Sequence, residues 1–204
     1  QMSFFEKLNM GGSNKNETLL REFKKELEAI KTKAQEEGRL VYSDTGAFEY
    51  ALAPNGNRSN LNERQWLHVQ SGNFKNWFGE SKVLDENDEP LIVYHGSNKS
   101  FKEFKHQDKD KIDPFWFGLD KEGVQRIAEG VVESKGGSSA IYSCFLKIVN
   151  PWTPDKGLLN SNSDVYDGLI NSVDGVISVK NASQIKSAEN NNGLYSKDSN
   201  NMNE

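Results

Sequence analysis

The sequence predicts an α+β fold, with a long N-terminal helix followed by small sheets of short strands and a few flanking helices. Three observations carry this. Leu20, Phe23, Leu27, Ile30 and Ala34 recur at spacings of three and four, which is the apolar stripe of an amphipathic helix. Beyond that helix the apolar runs are short and end in Asn, Asp, Gly or Pro, the punctuation of strands and turns. Further helical segments, Asn60 to Val69 and Lys121 to Glu133, lie among strand-like runs without alternating with them.

The elements follow in order. Residues 1–16 contain Gly11-Gly12-Ser13-Asn14 and read as a flexible N-terminus. Thr18 to Glu37 forms the striped helix, which Gly38 stops. Its stripe packs on its own domain or on a partner. Leu40-Val41-Tyr42-Ser43 and Phe48-Glu49-Tyr50-Ala51-Leu52 form a hairpin around Asp44-Thr45-Gly46, closing an extension over 17–59. Asn60 to Val69 is helical, and Phe74 to Gly79 is a short aromatic helix or turn. Lys82–Asp85 and Pro90–Tyr94 flank a second hairpin turn. Pro114–Gly118 is an aromatic strand. Ala140–Ile148 is a buried strand stopped by Asn150-Pro151, and Val165–Ile170, Gly175–Val179 and Gln184–Ala188 complete the main domain over 60–195. The Asn/Ser/Lys-rich stretch from Asn190 reads as disordered, with 196–204 as its tail.

Composition narrows the functional classes. Apolar residues make up 35%, below the usual ~45–50% that also counts Gly, because both termini are polar. A net charge of −5 argues against broad phosphate binding. Lys99, Lys102, Lys105, Lys109 and Lys111 leave room for a local basic patch. The single cysteine, Cys144, cannot form an internal disulfide, and its apolar neighbours point to a structural thiol. Three His and one Cys without ligand spacing indicate no metal site. No apolar run is long enough to span a membrane, and Met2-Ser3-Phe4-Phe5 lacks signal-peptide character. A cytoplasmic protein is expected.

The most informative stretch is Tyr94-His95-Gly96-Ser97. It follows the apolar run Leu91-Ile92-Val93 and precedes a polar break, so an imidazole, a hydroxyl and a bare backbone meet at a strand terminus. A flat ligand can approach such a Gly and bond its main chain. A His there also serves as an ordinary satisfied polar residue.

Phe74–Gly79, Leu91–Ser97, Phe101-Lys102-Glu103-Phe104, Phe115-Trp116-Phe117 and Gln184-Ile185-Lys186-Ser187-Ala188 occur in this order. Together they resemble the ADP-ribosyltransferase-like domains of phage polyvalent proteins and, more distantly, the diphtheria-toxin and poly(ADP-ribose) polymerase branch of that superfamily. The resemblance covers roughly residues 60–195. It implies a split, mixed β-fold in which two small packed sheets with flanking helices hold NAD in the cleft between them. NAD is then the substrate, and no metal is needed. His95 would bond the adenosine ribose, Gly96 would grip the nicotinamide amide through its backbone, and Tyr94 and Ser97 would lie alongside. Trp116 stands where the family usually has Tyr and would stack on nicotinamide, flanked by Phe115 and Phe117. The competing reading is an aromatic-rich strand. Gln184 would close the site.

The family also places a Glu on a strand roughly eight residues before the Gln, and that position here is Val176. Asp174 lies two residues earlier, an offset that would preserve strand face. Asp167 precedes it. One of the two substitutes, or the acid is absent, and Asp174-Gly175 is equally a common turn pair. The resemblance thus implies a mono-ADP-ribosyltransferase, with Asp174, Asp167 and His95 as candidate catalytic groups. Its acceptor would be macromolecular, a protein first and a nucleic acid second, in phage or bacterial defence, counter-defence or toxicity. A monomer is favoured over a dimer. The alternatives are an inactive member of the fold that binds a nucleotide or protein, and an unrelated β-rich interaction protein.

Overall fold

A computed structural model describes residues 4–106, 113–157 and 165–204. Lys109 and Lys111 of the suggested basic patch lie outside the described residues. Helix α1 (Phe4–Glu36) begins before the Thr18 expected for it and runs through Gly11-Gly12. Strands β1 (Leu40–Tyr42) and β2 (Phe48–Ala51) form the expected hairpin. Helix α2 (Glu63–Gln70) starts at a capping box, in which the Asn62 side chain accepts from Gln65 N–H and the Gln65 side chain from Asn62 N–H. These two bonds satisfy donors that a helix start otherwise leaves open. Helix α3 (Gly72–Phe78) is capped by Ser71.

The remaining elements are β3 (Val93–Ser97), β4 (Phe115–Gly118), α4 (Lys121–Lys135), β5 (Ala140–Leu146), β6 (Pro151–Trp152), β7 (Gly168–Asn171), β8 (Val176–Val179) and β9 (Ile185–Ser187). They form one sheet in the order β6-β7-β8-β4-β3-β5-β9, antiparallel except for β6–β7. The β3–β4 ladder holds a single pair, Tyr94 opposite Gly118, whereas β3–β5 has five pairs and β4–β8 has four. The sheet therefore parts into two halves, β6-β7-β8-β4 and β3-β5-β9, joined at one point. This is the split mixed arrangement of the expected α+β fold. The halves share one core of Val93, Cys144, Leu146 and Ile185 with Phe117, Ile177 and Val179. Cys144 is free and buried in it, and burial pushes its thiol pKa up.

Helix α4 covers the opposite face across the parting. A side chain at Gly118 would meet Val124 Cγ2 at 2.5 Å, and one at Gly96 would meet Val124 and Ala128 at 3.0 Å. Beside α4, helices α2 and α3 bury Trp66, Phe74, Trp77 and Phe78 against Phe145 of β5. The α1 stripe closes this second core. Phe23 and Ala34 are buried, Leu27 and Ile30 pack alongside, and Lys31 pairs with Glu63 at 2.8 Å.

The C-terminal stretch expected to be disordered is docked instead. Met202 is buried, its carbonyl accepts from Ser187 N–H at 2.8 Å and from Asn191 Nδ2 at 3.1 Å, and Lys186 Nζ donates to Ser199 and Asn201 carbonyls. A polar composition hid this, because short Asn and Ser side chains here bond nearby backbone and so shape turns. Examples are Asn201 N–H to Ser199 Oγ and Asn203 N–H to Asn201 Oδ1. Among the described residues no helix is long and apolar enough to cross a membrane.

Candidate functional site

The site is built around the parting of β3 and β4. Beyond Tyr94–Gly118 the side of β3 that faces β4 has no ladder partner. His95 occupies this gap, with its Nδ1 2.8 Å from the Trp116 carbonyl. A carbonyl only accepts, so Nδ1 carries the proton. Phe101, Phe104, Phe117 and Tyr142 surround the ring at centroid distances of 4.9–6.5 Å. Desolvation by this aromatic box lowers the imidazole pKa, and the Trp116 carbonyl opposes the shift. At neutral pH the ring is therefore uncharged, and Nε2 is an acceptor with no hydrogen-bond partner among the described residues.

Directly opposed residues of antiparallel strands share a face. The pairs Asn171–Val176, Val176–Gly118, Gly118–Tyr94 and Tyr94–Ser143 thus form one row across the sheet, on the face that α4 covers. Trp116 lies one step along on that same face. It is 49% exposed, unusual for so large an apolar ring. Lys121, at the start of α4, has its ammonium 5.8 Å from the Tyr94 ring centroid. At the β5 end of the row, Ser143 is 6% exposed and donates to Glu189 Oε1 at 2.7 Å. Burial, and then the charge of Glu189, raises the Tyr94 phenol pKa.

The other expected residues fall into place differently. Gly96 is on the row of Trp116, but α4 gives it a packing reason to be small. Ser97 Oγ accepts from Lys99 N–H at 3.2 Å, a local turn. Phe117 is core, and Phe115 is half-buried, stacking on His106 and packing edgewise on Phe104. Gln184 is buried. Its Nε2 donates to the carbonyls of Lys147 and Asp167 at 2.8 and 2.9 Å, and its Oε1 accepts from Asn181 N–H. That amide clamps three segments and has no donor left for a ligand.

Both carboxylates considered from sequence are also engaged. Asp167 accepts from Val149 N–H at 2.7 Å and Asn150 N–H at 2.9 Å, one bond per oxygen, at the opposite end of β7 from the row. Asp174 lies in the β7–β8 turn, so strand alternation does not apply to it as expected. Its Oδ2 accepts from Asn171 Nδ2 at 2.7 Å, which ties it to the β7 end of the row. Val176, where a Glu was sought, is next to Asn171 in the row. Glu189 and Ser143 were missed. The signal for them was weak: Glu189 is two residues past the strand-face residue Ser187, in a stretch read for its Gln and Lys.

Among the described residues no group of three or more His, Cys, Asp or Glu side chains is arranged to hold a metal. A cavity of about 240 Å³ lined by Val69, Phe74, Phe78, Leu84 and Pro90 includes none of the residues above.

Residues 85–165 match the model of a family described as ADP-Ribosyltransferase in polyvalent proteins. The match spans β3, β4, α4, β5 and β6, and so includes Tyr94–Ser97 and Phe115–Phe117, and it stops before Asp167, Asp174, Gln184 and Glu189. No curated protein and no solved structure matches the chain. Residues 85–165 thus carry the likeness to an ADP-ribosyltransferase domain, and the α+β fold is consistent with one.

Proposed function

We propose that this ADP-ribosyltransferase-like domain cleaves NAD and transfers a single ADP-ribose unit to a macromolecular acceptor, a protein before a nucleic acid, in a phage or bacterial cytoplasm. The observation that carries this reading is the parting of β3 and β4 at one residue pair, with a neutral His95 bonded across the gap to the Trp116 carbonyl and the Trp116 ring exposed on the opposite face of β4. In this reading His95 Nε2 accepts a ribose hydroxyl, and the Trp116 indole covers one face of nicotinamide through π-stacking. The C1′–N bond breaks with its electron pair leaving on the nicotinamide nitrogen. The acceptor's lone pair forms the new bond to C1′, and the acceptor loses a proton. The chain's contribution is orientation and fixed charge around a cationic ribose. Asp174, tethered by Asn171, is the carboxylate proposed to face that charge, while Asp167 holds backbone.

The test is labelled NAD incubated with the protein and cell lysate. Label is expected in the protein fraction, released as one ADP-ribose per site. His95→Ala should weaken NAD binding by ~1–3 kcal/mol, the scale for removing a partner from a buried polar contact. Trp116→Ala should lose binding where Trp116→Tyr keeps most of it. Asp174→Asn should keep NAD affinity and lower turnover ~10²-fold, as for a group acting on transition-state charge. A second reading, an inactive nucleotide- or protein-binding module, draws on Val176 in the row where a carboxylate was sought. NAD binding by calorimetry with no transfer and no hydrolysis would favour it.

A further inference from the structure

We infer that Glu189, held by Ser143, is the carboxylate that receives the acceptor's proton, so the acceptor is a side chain or base that attacks through an N–H or O–H group. This rests on the transfer reading above and deepens it. The row Asn171, Val176, Gly118, Tyr94, Ser143 gives the site two ends. Trp116, the proposed nicotinamide platform, stands on β4 at one side of the parting. Tyr94 stands on the other side, and Ser143 with Glu189 lies one strand further out, a spacing of about 4.8 Å. A displacement at C1′ needs leaving group and nucleophile on opposite sides. With nicotinamide over β4, the acceptor approaches over Tyr94, from the Glu189 side.

Glu189 is also placed as a base would be. A hydroxyl buried in β5 donates to its Oε1, so the side chain is positioned by a strand of the sheet. Oε2 has no hydrogen-bond partner among the described residues. In contrast, Asp167 has both oxygens on backbone N–H groups, and Asp120 caps α4 by accepting from Glu122 and Gly123 N–H. Asp174 lies at the far end of the row, beyond Val176. The step balances as follows: the acceptor's N or O lone pair bonds to C1′, the C1′–N pair leaves with nicotinamide, and the acceptor's proton goes to Glu189 Oε2. A base so placed typically contributes ~10²–10⁴-fold.

The experiment compares transfer to lysate protein with NAD hydrolysis, using the purified wild-type chain, Glu189→Gln, Ser143→Ala and Asp174→Asn, with circular dichroism as the check on folding. Glu189→Gln is expected to keep the NAD-induced rise in melting temperature and to keep hydrolysis within a few-fold, because bulk water reaches the cation from any side. Its transfer should fall at least ~10²-fold. Ser143→Ala should lose less, because it frees the carboxylate without removing it. Asp174→Asn should lose transfer and hydrolysis together. Glu189→Gln transferring like wild type, or losing both activities equally, overturns the assignment and leaves the function standing. Wild type that shows no melting shift with NAD and no hydrolysis overturns both. A spectroscopic titration of Tyr94 adds a readout independent of activity: removing the Glu189 charge should lower the phenol pKa, and an unmoved titration places Glu189 too far away to serve.

Discussion

Gln184 shows how a residue can match a family motif in sequence and serve the scaffold in three dimensions. Its amide bonds the carbonyls of Lys147 and Asp167 and the N–H of Asn181, joining the chain after β5, before β7 and before β9. Cutting such an amide back leaves buried carbonyls unpaired, at about 1–3 kcal/mol each. Gln184→Ala should therefore lower the urea midpoint markedly while folded protein binds NAD with unchanged affinity. A specific loss of NAD affinity at full stability would return it to the site. Residue type and order were readable here, as the meeting of His95 with Trp116 shows, but side-chain destination was not. Phe117 and Trp116 are adjacent aromatics whose fates divide on strand alternation, and Asp167 has the composition of a catalytic acid with the bonds of a backbone clamp.

At the scale of elements, periodicity was a reliable guide. The 3.6-residue stripe of α1 and the short runs of β5, β7 and β8 follow directly from burial on one face. The packing of α1 on its own chain settles where its apolar stripe goes. The Phe23 ring lies edge-on to His68, 5.1 Å between centroids, and fills the space over Gly193, where any Cβ would come within 2.0 Å of it. Phe23→Ala should cost about 3 kcal/mol or more, visible as a lower melting temperature, and Gly193→Ala should be at least as damaging. Deleting residues 1–38 should lower stability without changing oligomeric state in sedimentation. Conversion of a dimer to a folded monomer would show that the stripe serves a second copy. What sequence concealed was β6 and the docked C-terminus, because both depend on partners distant in the chain. Pro151-Trp152 pairs with Gly168-Leu169, and the Asn-rich end is ordered by Lys186 and Met202.

For the whole molecule, two histidines contribute to the loss of stability in acid. Burial, and then the charge of Arg64, pushes His68 down to about 4, and burial lowers His95 as well. An unfolded chain titrates its histidines near ~6.5, so it binds more protons than the native state below that pH. Their contribution is complete above ~6.5 and declines as pH falls below it, for His68 down to about 4. Thermal melts should hold steady from pH 8 to 6.5 and then decline, and His68→Phe should flatten that decline. The last consequence comes from how the sheet ends. A terminal strand offers unpaired backbone groups on which a second chain can template itself. At β6 the hazard is small, since the strand has two residues and opens with Pro151, which has no N–H to offer. At β9 the chain's own last residues take the Ser187 N–H through Met202. A protein cut after Asp198 would present β9 bare, and light scattering should find it growing into aggregates at concentrations where the full chain stays dispersed. In that case the Asn-rich stretch, polar in composition, acts as the cap on the β9 edge.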